Sequence, residues 1–204
     1  MSRPVRLTAQ AVLRIALHGL CALPAVVLVV EGLSGGLGAN PIEALIRGLG
    51  DWGLRFLVMA LAVTPVRRLA RLPTLARYRR MLGLWAFAYV LLHVSAYVVL
   101  DQFFDWAAIG NDIVKHKFIT VGMAAVTLLI PLAATSTSAM IRRLGGKRWR
   151  TLHRLVYVAG PLAAIHYIWM VKADIRQPVV YLLIVLLLLG CRVAFLAQER
   201  IERN

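Results

Sequence analysis

Six apolar segments, separated by short polar ones, divide the chain. They cover residues 11–30, 52–66, 81–100, 118–134, 152–171 and 178–196, and the second and fourth are the shortest. A helix needs about twenty predominantly apolar residues to cross the hydrocarbon core of a bilayer. Because each segment approaches or reaches that length, the pattern predicts an all-α integral membrane protein built as a six-transmembrane-helix bundle.

The composition agrees with a chain that is surrounded by lipid. It is 60% hydrophobic and only 16% charged, whereas about 25% of the residues of an average soluble domain are charged. We therefore interpret residues 1–204 as a single transmembrane domain. Cys21 and Cys191 lie isolated in apolar segments, which favours small buried side chains over a disulfide framework. The first segment, although preceded by arginines, is expected to remain as an uncleaved span.

The distribution of charge predicts the orientation in the membrane. The formal net charge is +15, and eighteen of the 24 Lys and Arg residues lie at or near the two termini and the second and fourth loops. Seven of the nine Asp and Glu residues lie in the other loops. Because cytoplasmic loops carry the excess of basic residues, both termini are predicted to be cytoplasmic. A basic chain can also indicate a nucleic-acid partner, but a surface that faces lipid argues against one.

Histidines inside apolar segments are the main candidate functional residues, since an ionisable side chain in hydrocarbon is costly and usually functional. His93 lies about 18 Å, and His166 about 21 Å, from the cytoplasmic end of its segment at about 1.5 Å per residue. The two segments run in the same direction, so both side chains come to similar depth in the outer half. This predicts a bis-imidazole haem site between His93 and His166.

His153 lies near the cytoplasmic surface and marks a possible second site. The residue at matching depth on the third segment is Arg79, within about 40° of the face that carries His93. An arginine keeps its proton and is a poor iron ligand, but it could pair with haem propionates or a quinone oxygen. His153 and His166 lie about 140° apart on an ideal helix, and a kink at residues 160–161 could turn one ring toward the shared core.

Other interpretations stay open. His18 is either structural or a quinone contact, and His116 is expected to be merely solvated in an outer loop. Structural zinc needs nearby Cys or His ligands that close a tetrahedron, and histidines split between two depths do not supply them. The rival to haem binding is a cofactor-free protein, a proton-linked transporter or a membrane scaffold, with the histidines as a proton relay.

Four stretches resemble the MsrQ (YedZ) family, which belongs to the ferric reductase-like transmembrane group. They are GLGANPIEALIRGLGDWGLRFLVMALAVTPVRRL, RRMLGLWAFAYVLLHVSAY, ITVGMAAVTLLIPLAATST and WRTLHRLVYVAGPLAAIHYIWMVK. The resemblance implies a b-type cytochrome domain with a ferric reductase-like core at about residues 45–172. The family's haem-ligand positions match His93, His153 and His166, and a fourth histidine of the wider group is replaced by Arg79.

The resemblance also implies a function. It is that of a haem b electron-transfer subunit in the bacterial inner membrane, with one or two haems, rather than a complete reductase. Electrons would pass from the quinol pool, or from a cytosolic flavin reductase, to a periplasmic molybdopterin reductase (MsrP-like) that repairs oxidised methionines. FMN is a further cofactor that the resemblance raises. Basic residues that could contact a quinol headgroup, anionic lipid or an acidic flavoprotein are Arg77, Arg79, Arg80, Arg148 and Arg150.

Overall fold

The regular structure is helical throughout the part of the chain that is described. The computed structural model describes residues 9–171 and 173–201, except for the side chains of Leu196, Glu199 and Arg200. The helices are α1 (Ala9–Ser34), α2 (Pro41–Leu69), α3 (Ala76–Ala96), α4 (Trp106–Lys115), α5 (Lys117–Ala134), α6 (Ser138–Leu144), α7 (Gly146–Leu152), α8 (Val156–Met170) and α9 (Arg176–Ile201). A π-helical turn, Tyr97–Asp101, continues α3, and 3-10 turns occupy Pro73–Leu75 and His153–Leu155.

Five helical runs are long and apolar enough to cross a membrane. They are Ala9–Ser34, Pro41–Leu69, Pro73–Asp101, Lys117–Ala134 and Arg176–Phe195. The all-α class and the multi-pass membrane character are therefore confirmed. The predicted span at 152–171 corresponds to α8, whose 15 residues fall short of the roughly twenty that a span needs. The six-span count and the cytoplasmic termini stay predictions, and Arg3, Arg6, Lys172 and Arg203 of the charge distribution lie outside the described residues.

The second helix begins earlier than the apolar pattern predicts. The predicted span covers 52–66, whereas α2 covers Pro41–Leu69. The Asn40 side chain caps the helix by accepting a hydrogen bond from the Glu43 N–H at 3.4 Å. Glu43 then pairs with Arg47 one turn later, so charged side chains occupy one face of the first turns. These charges lower the mean hydropathy of the segment, which is why the start of α2 is missed by an apolar window.

The helices assemble as two main pairs. Helix α2 packs along α3, α5 packs along α8, and α9 contacts both α8 and α2. Leu61 of α2, Tyr89 of α3 and Val185 of α9 are fully buried where these helices meet. Helix α1 packs mainly on α2 and exposes most of its apolar side chains, for example Val12 and Ile15. Such an apolar exterior suits contact with lipid.

The two ends of the bundle differ in charge. We call the end formed by residues 67–80 and 135–154 the basic end, and the end formed by residues 35–40 and 101–116 the acidic end. At the basic end, Arg80 Nη1 donates a hydrogen bond to Ser138 Oγ at 3.4 Å, and the Arg68 guanidinium lies 4.7 Å from the Phe195 ring centre. The first contact joins α3 to α6, and the second joins α2 to α9.

A tyrosine hydroxyl ties α1 to the rest of the bundle. The Ala25 N–H donates to Tyr89 Oη at 2.9 Å, and Tyr89 Oη donates to the Cys21 carbonyl at 2.8 Å. In an unbroken α-helix the N–H of residue 25 would pair with the carbonyl of residue 21. The hydroxyl therefore sits between two groups of the α1 ladder beside Pro24, a position where helices kink.

Replacing Tyr89 by Phe should destabilise the protein by about 1–3 kcal/mol, because the α1 groups lose the partner that satisfies them in an apolar environment. The midpoint of thermal unfolding in detergent, followed by circular dichroism, measures the effect. Tyr78→Phe is the matched control, since that hydroxyl accepts a hydrogen bond from exposed Arg77. Equal midpoints for the two variants would contradict the bridging role.

Candidate functional site

A cavity of about 500 Å³ opens between α2, α3, α5 and α8. Apolar side chains form much of its wall; they include Leu54, Leu57, Val90, Met123 and Leu129. Its volume lies within the range of about 300–1,000 Å³ that is usual for small-molecule and cofactor sites. His93 and His166 both line it, so the two histidines at matched depth meet in one chamber.

The two imidazoles come from the two helix pairs. His93 lies on α3, His166 lies on α8, and their ring centres are 6.2 Å apart with an interplanar angle of 80°. A metal ion bonded to two imidazoles on opposite sides, at about 2.0–2.1 Å each, holds the two nitrogens about 4 Å apart. The centre of each ring lies about 1 Å beyond its nitrogen. The observed separation of the ring centres agrees with that spacing.

A hydrogen bond to a neighbouring helix orients each ring. His93 Nδ1 lies 2.8 Å from the Ile46 carbonyl oxygen of α2, and His166 Nδ1 lies 2.7 Å from the Phe118 carbonyl oxygen of α5. A carbonyl oxygen only accepts hydrogen bonds, so each Nδ1 must carry the proton. The lone pair of each neutral ring is then on Nε2, the arrangement that a carbonyl bonded to the other ring nitrogen imposes on metal-binding histidines.

Glycines make these close approaches possible. Gly50 follows Ile46 by one helical turn, and Gly122 follows Phe118 in the same way. A Cβ atom would lie 3.0 Å from His93 Nδ1 at Gly50 and 2.7 Å from His166 Nδ1 at Gly122. Sequence reasoning missed both glycines; the signal was a glycine inside a helical segment, which often marks close packing.

The donor set suits haem iron better than a bare metal ion. Throughout residues 9–171 and 173–201, no three His, Cys, Asp or Glu side chains gather in a metal-holding group. The pair therefore offers two imidazole donors that line one cavity. A haem carries four ring nitrogens of its own and takes its axial ligands from the protein. The apolar cavity wall also suits the macrocycle.

Polar residues gather where the cavity reaches the acidic end. Tyr97 Oη donates to Asp112 Oδ2 at 2.9 Å, and His116 Nδ1 lies 3.3 Å from Asp112 Oδ1. Tyr97 stands in the π-helical turn that follows α3, and Asp112 belongs to α4, a helix that the apolar pattern did not predict. His116 was expected to be merely solvated; it is exposed, as expected, but it also pairs with Asp112 and lines the cavity.

His153 is held differently from the other two histidines. Thr135 Oγ1 donates to the Pro131 carbonyl at 2.6 Å and lies 3.2 Å from His153 Nε2. The Thr135 hydroxyl proton is thus used in the bond to Pro131. His153 Nε2 must therefore donate the proton of its own hydrogen bond to Thr135 Oγ1. The Trp149 ring lies 4.0 Å from the His153 ring, centre to centre. Arg79 is an electrostatic neighbour of His153, so these two residues share the basic end.

The α-helical backbone is interrupted at His153 itself. His153–Leu155 form a 3-10 turn before α8 begins at Val156. The ideal-helix angle of about 140° between His153 and His166 therefore does not apply. Residues 160–161, where the sequence predicted a kink, lie within α8, and a Cβ on Gly160 would lie 3.3 Å from Val185.

A second cavity, of about 310 Å³, lies between α1 and α3 at the basic end. Its basic lining residues are Arg14, His18, Arg77 and Arg80. His18 Nδ1 accepts a hydrogen bond from Trp85 Nε1 at 2.9 Å. His18 thus has a structural partner and also faces a cavity, so both interpretations offered for it stay open.

Comparisons with known proteins converge on one family. The family described as ferric reductase like transmembrane component matches residues 49–164. The protein-methionine-sulfoxide reductase heme-binding subunit MsrQ of Rhodospirillum rubrum is 54% identical over 187 residues, covering 92% of this chain and 90% of that protein. The MsrQ subunits of Caulobacter vibrioides and Azospira oryzae are 53% and 50% identical, over 79% and 94% of this chain and 77% and 81% of their own lengths. No solved structure gives a significant match.

Gly122→Ala and Gly50→Ala should each weaken haem binding by about five- to a hundredfold, because overpacking costs about 1–3 kcal/mol. The effect should be larger at Gly122, where the added Cβ comes nearer to the ring. Haem per chain by the pyridine haemochrome method, and haemin titration of the haem-free protein, provide the measurements. Gly83→Ala on α3 is the control, since a Cβ there meets nothing within 4 Å. Loss of haem in the control alone would contradict the role given to the glycines.

Proposed function

The chain belongs to the ferric reductase-like transmembrane family and, within it, to the MsrQ subunits, and on that premise we propose that it carries haem b between His93 and His166. Its redox role is that of a subunit in a protein-methionine-sulfoxide reductase system. The relatives are named as haem-binding subunits. The observation that carries the proposal is the pair of imidazoles that line one apolar cavity, each held at Nδ1 by a backbone carbonyl.

The histidines and their carbonyl partners each have a separate task. His93 and His166 would hold the haem, and haem would supply one-electron chemistry when bound. The Ile46 and Phe118 carbonyls hold each ring in the Nδ1–H tautomer and make Nε2 more basic. Both hydrogen bonds and the apolar wall would influence the reduction potential of the haem, which ligation and burial control.

Charge supports a direction for electron transfer. We place the basic end in the cytoplasm and the acidic end in the periplasm, with six spans in the bacterial inner membrane and both termini inside. The cavity that holds His93 and His166 opens toward Asp101 and Asp112 of the acidic end. Electrons would leave there for a periplasmic molybdopterin reductase (MsrP-like) that repairs oxidised methionines in envelope proteins.

Electrons would enter at the basic end. The cavity between α1 and α3 is lined by Arg14, His18, Arg77 and Arg80, which suit a quinol oxygen or a flavin phosphate. The quinol pool, or a cytosolic flavin reductase with FMN, would therefore be the donor. The cavity is at the small end of the usual range for cofactor sites, so a headgroup rather than a whole cofactor fits it.

His153 is kept as a candidate ligand of a second haem. Its position at the basic end, with Arg79 as a neighbour, agrees with a site at a second depth. Its Nε2 is bonded to Thr135, so coordination requires either that this bond break or that Nδ1 serve as the ligand. Whether the protein binds one haem or two therefore depends on whether His153 is a ligand.

His93→Ala and His166→Ala should each abolish the same haem absorbance, because both imidazoles would hold one haem in this cavity. The measurement is the Soret band of the purified protein, with split visible bands after dithionite reduction. His153→Ala should spare that signal and change a second one where a second haem is bound.

His116→Ala is the matched control, since His116 lines the same cavity but pairs with Asp112. It should keep the full absorbance. Loss of one shared signal in His93→Ala and His153→Ala would show that the ligand pairing is wrong. A colourless wild-type preparation from haem-replete cells would favour the cofactor-free transporter or scaffold.

Arg77→Gln combined with Arg80→Gln should slow haem reduction by a soluble quinol, menadiol, by about tenfold or more, since a hydrogen bond to a charged group contributes about 1.5–3 kcal/mol. The dithionite-reduced spectrum should stay unchanged, because neither residue touches the histidine cavity. Stopped-flow absorbance on membranes provides the rate. Arg143→Gln, an exposed change at the same end, is the control, and an unchanged rate in the double variant would exclude the cavity as the entry site.

A further inference from the structure

Helix α4 lies at the mouth of the cavity that contains His93 and His166, which we call the histidine cavity. Asp112 of α4 lines this cavity, and so does His116, which joins α4 to α5. Asp101, at the end of the span before α4, lines it too. The segment between these residues, with α4 in it, therefore borders the opening at the acidic end.

Few contacts hold α4 in place. Among its ten described residues, Ile109 is the one that is buried, whereas Trp106 and Val114 are 68% and 81% exposed. The helix packs mainly on α5, which follows it directly in the chain. Regions that bury so little apolar surface open locally at a low cost in free energy. A helix held mainly on one side is therefore able to move as a unit.

The backbone just before α4 is strained. Phe103 and Phe104 have φ angles of +46° and +61°, in the left-handed region that bulky side chains rarely adopt. Such conformations are costly and cluster at ligand clamps and switch regions. Hydrogen bonds to the end of α3 maintain them: the Gln102 N–H donates to the Tyr97 carbonyl at 3.0 Å, and the Phe104 N–H donates to the Val98 carbonyl at 2.9 Å. Movement of α4 would let this turn relax.

A side-chain hydrogen bond fastens α4 to α3 across the opening. Tyr97 Oη donates to Asp112 Oδ2 at 2.9 Å, which joins the π-helical turn after α3 to α4. Both side chains line the histidine cavity, so the bond lies at the opening itself. On the other side, the Thr120 hydroxyl of α5 donates to the Ile113 carbonyl of α4. Helix α4 thus has a pivot beside α5 and a fastening at Tyr97.

We propose that α4 is a lid on the histidine cavity and that the Tyr97–Asp112 hydrogen bond is its latch. In the closed state the latch holds α4 at the acidic end of the cavity. When the bond breaks, α4 moves about its junction with α5 at His116, and a ligand enters or leaves. That ligand is the haem proposed between His93 and His166, so this inference rests on the proposed function. The lid controls the rates at which the protein binds and releases the haem.

A lid has a kinetic signature that a direct contact with the ligand lacks. Weakening the latch favours the open state whether or not the cavity is filled, so binding and release both become faster and the affinity changes little. Loss of a direct contact with the haem would speed release alone and lower the affinity. Because Tyr97 lines the cavity, both rates must be measured to separate the two roles.

The experiment compares Tyr97→Phe with the wild-type protein and with Tyr181→Phe, each purified in mild detergent. Tyr181 Oη accepts from Arg55 Nε at 3.2 Å and is not among the described residues that line the cavity. It is therefore the matched control for loss of a hydroxyl that bonds to a charged group. Transfer of haem to excess apomyoglobin gives the release rate, and haemin binding to the haem-free protein gives the association rate. Hydrogen exchange of the α4 amides in the haem-free protein reports opening directly.

Tyr97→Phe should raise both haem rates and the exchange of the α4 amides by about tenfold to a hundredfold, the range for loss of a hydrogen bond to a charged group. The haem affinity should change by less than about threefold, because the two rates rise together. Asp112→Asn, which keeps an acceptor oxygen for Tyr97 but removes the charge, should give a smaller increase in each rate. Tyr181→Phe should behave as wild type.

The lid is overturned if Tyr97→Phe raises the release rate alone, or if its haem rates and its α4 exchange equal those of the wild-type protein. The haem absorbance of each preparation shows separately whether haem is bound, so these results leave the haem site itself standing.

A wild-type protein that bound no haem would contradict the proposed function instead. The lid is then tested by maleimide labelling of Met123→Cys, a position that lines the cavity, after subtraction of the labelling of Cys21 and Cys191 in the parent protein. Labelling should be about tenfold to a hundredfold faster when Tyr97→Phe is also present. Equal labelling rates would overturn the lid.

Discussion

The hydrogen bonds from His93 and His166 to the carbonyls of neighbouring helices are the interactions on which the site depends. Each bond crosses one of the two helix pairs, α2 with α3 and α5 with α8, and each needs a glycine one turn after the carbonyl. Because the carbonyl fixes the tautomer, packing decides which nitrogen faces the cavity. The same contact that holds two helices together therefore leaves the lone pair of each ring on Nε2.

Backbone groups that lack helical partners govern much of the remaining structure. In lipid no water is present to satisfy them, so the protein must supply a donor or an acceptor. Tyr89 bridges the α1 ladder beside Pro24, and Arg192 caps the carbonyl that Pro65 leaves free. These polar side chains lie in apolar helices because a proline lies nearby. Prolines thus determine where the bundle places a hydroxyl or a charge.

Depth along the apolar segments was enough to pair His93 with His166, because each segment is a helix with a constant rise per residue between the two membrane surfaces. It was not enough to find Gly50 or Gly122, since the need for a glycine arises only once a particular ring approaches a particular helix. The start of α2 at Pro41 was missed because Glu43 and Arg47 make its first turns polar. Arg192 was counted only as one more cytoplasmic charge, because its burial depends on the contact between α9 and α2.

The same residue type serves two different roles in this chain, and the hydrogen-bond partner separates them. His93 and His166 donate from Nδ1 and keep Nε2 free, whereas His153 donates from Nε2 to Thr135 and stacks on Trp149. Counting histidines would assign three equivalent ligands. Since a donating nitrogen has no lone pair for a metal, the hydrogen bonds leave Nε2 able to bind a metal in His93 and His166 but not in His153. The third must give up its threonine, or use its other nitrogen, before it can coordinate.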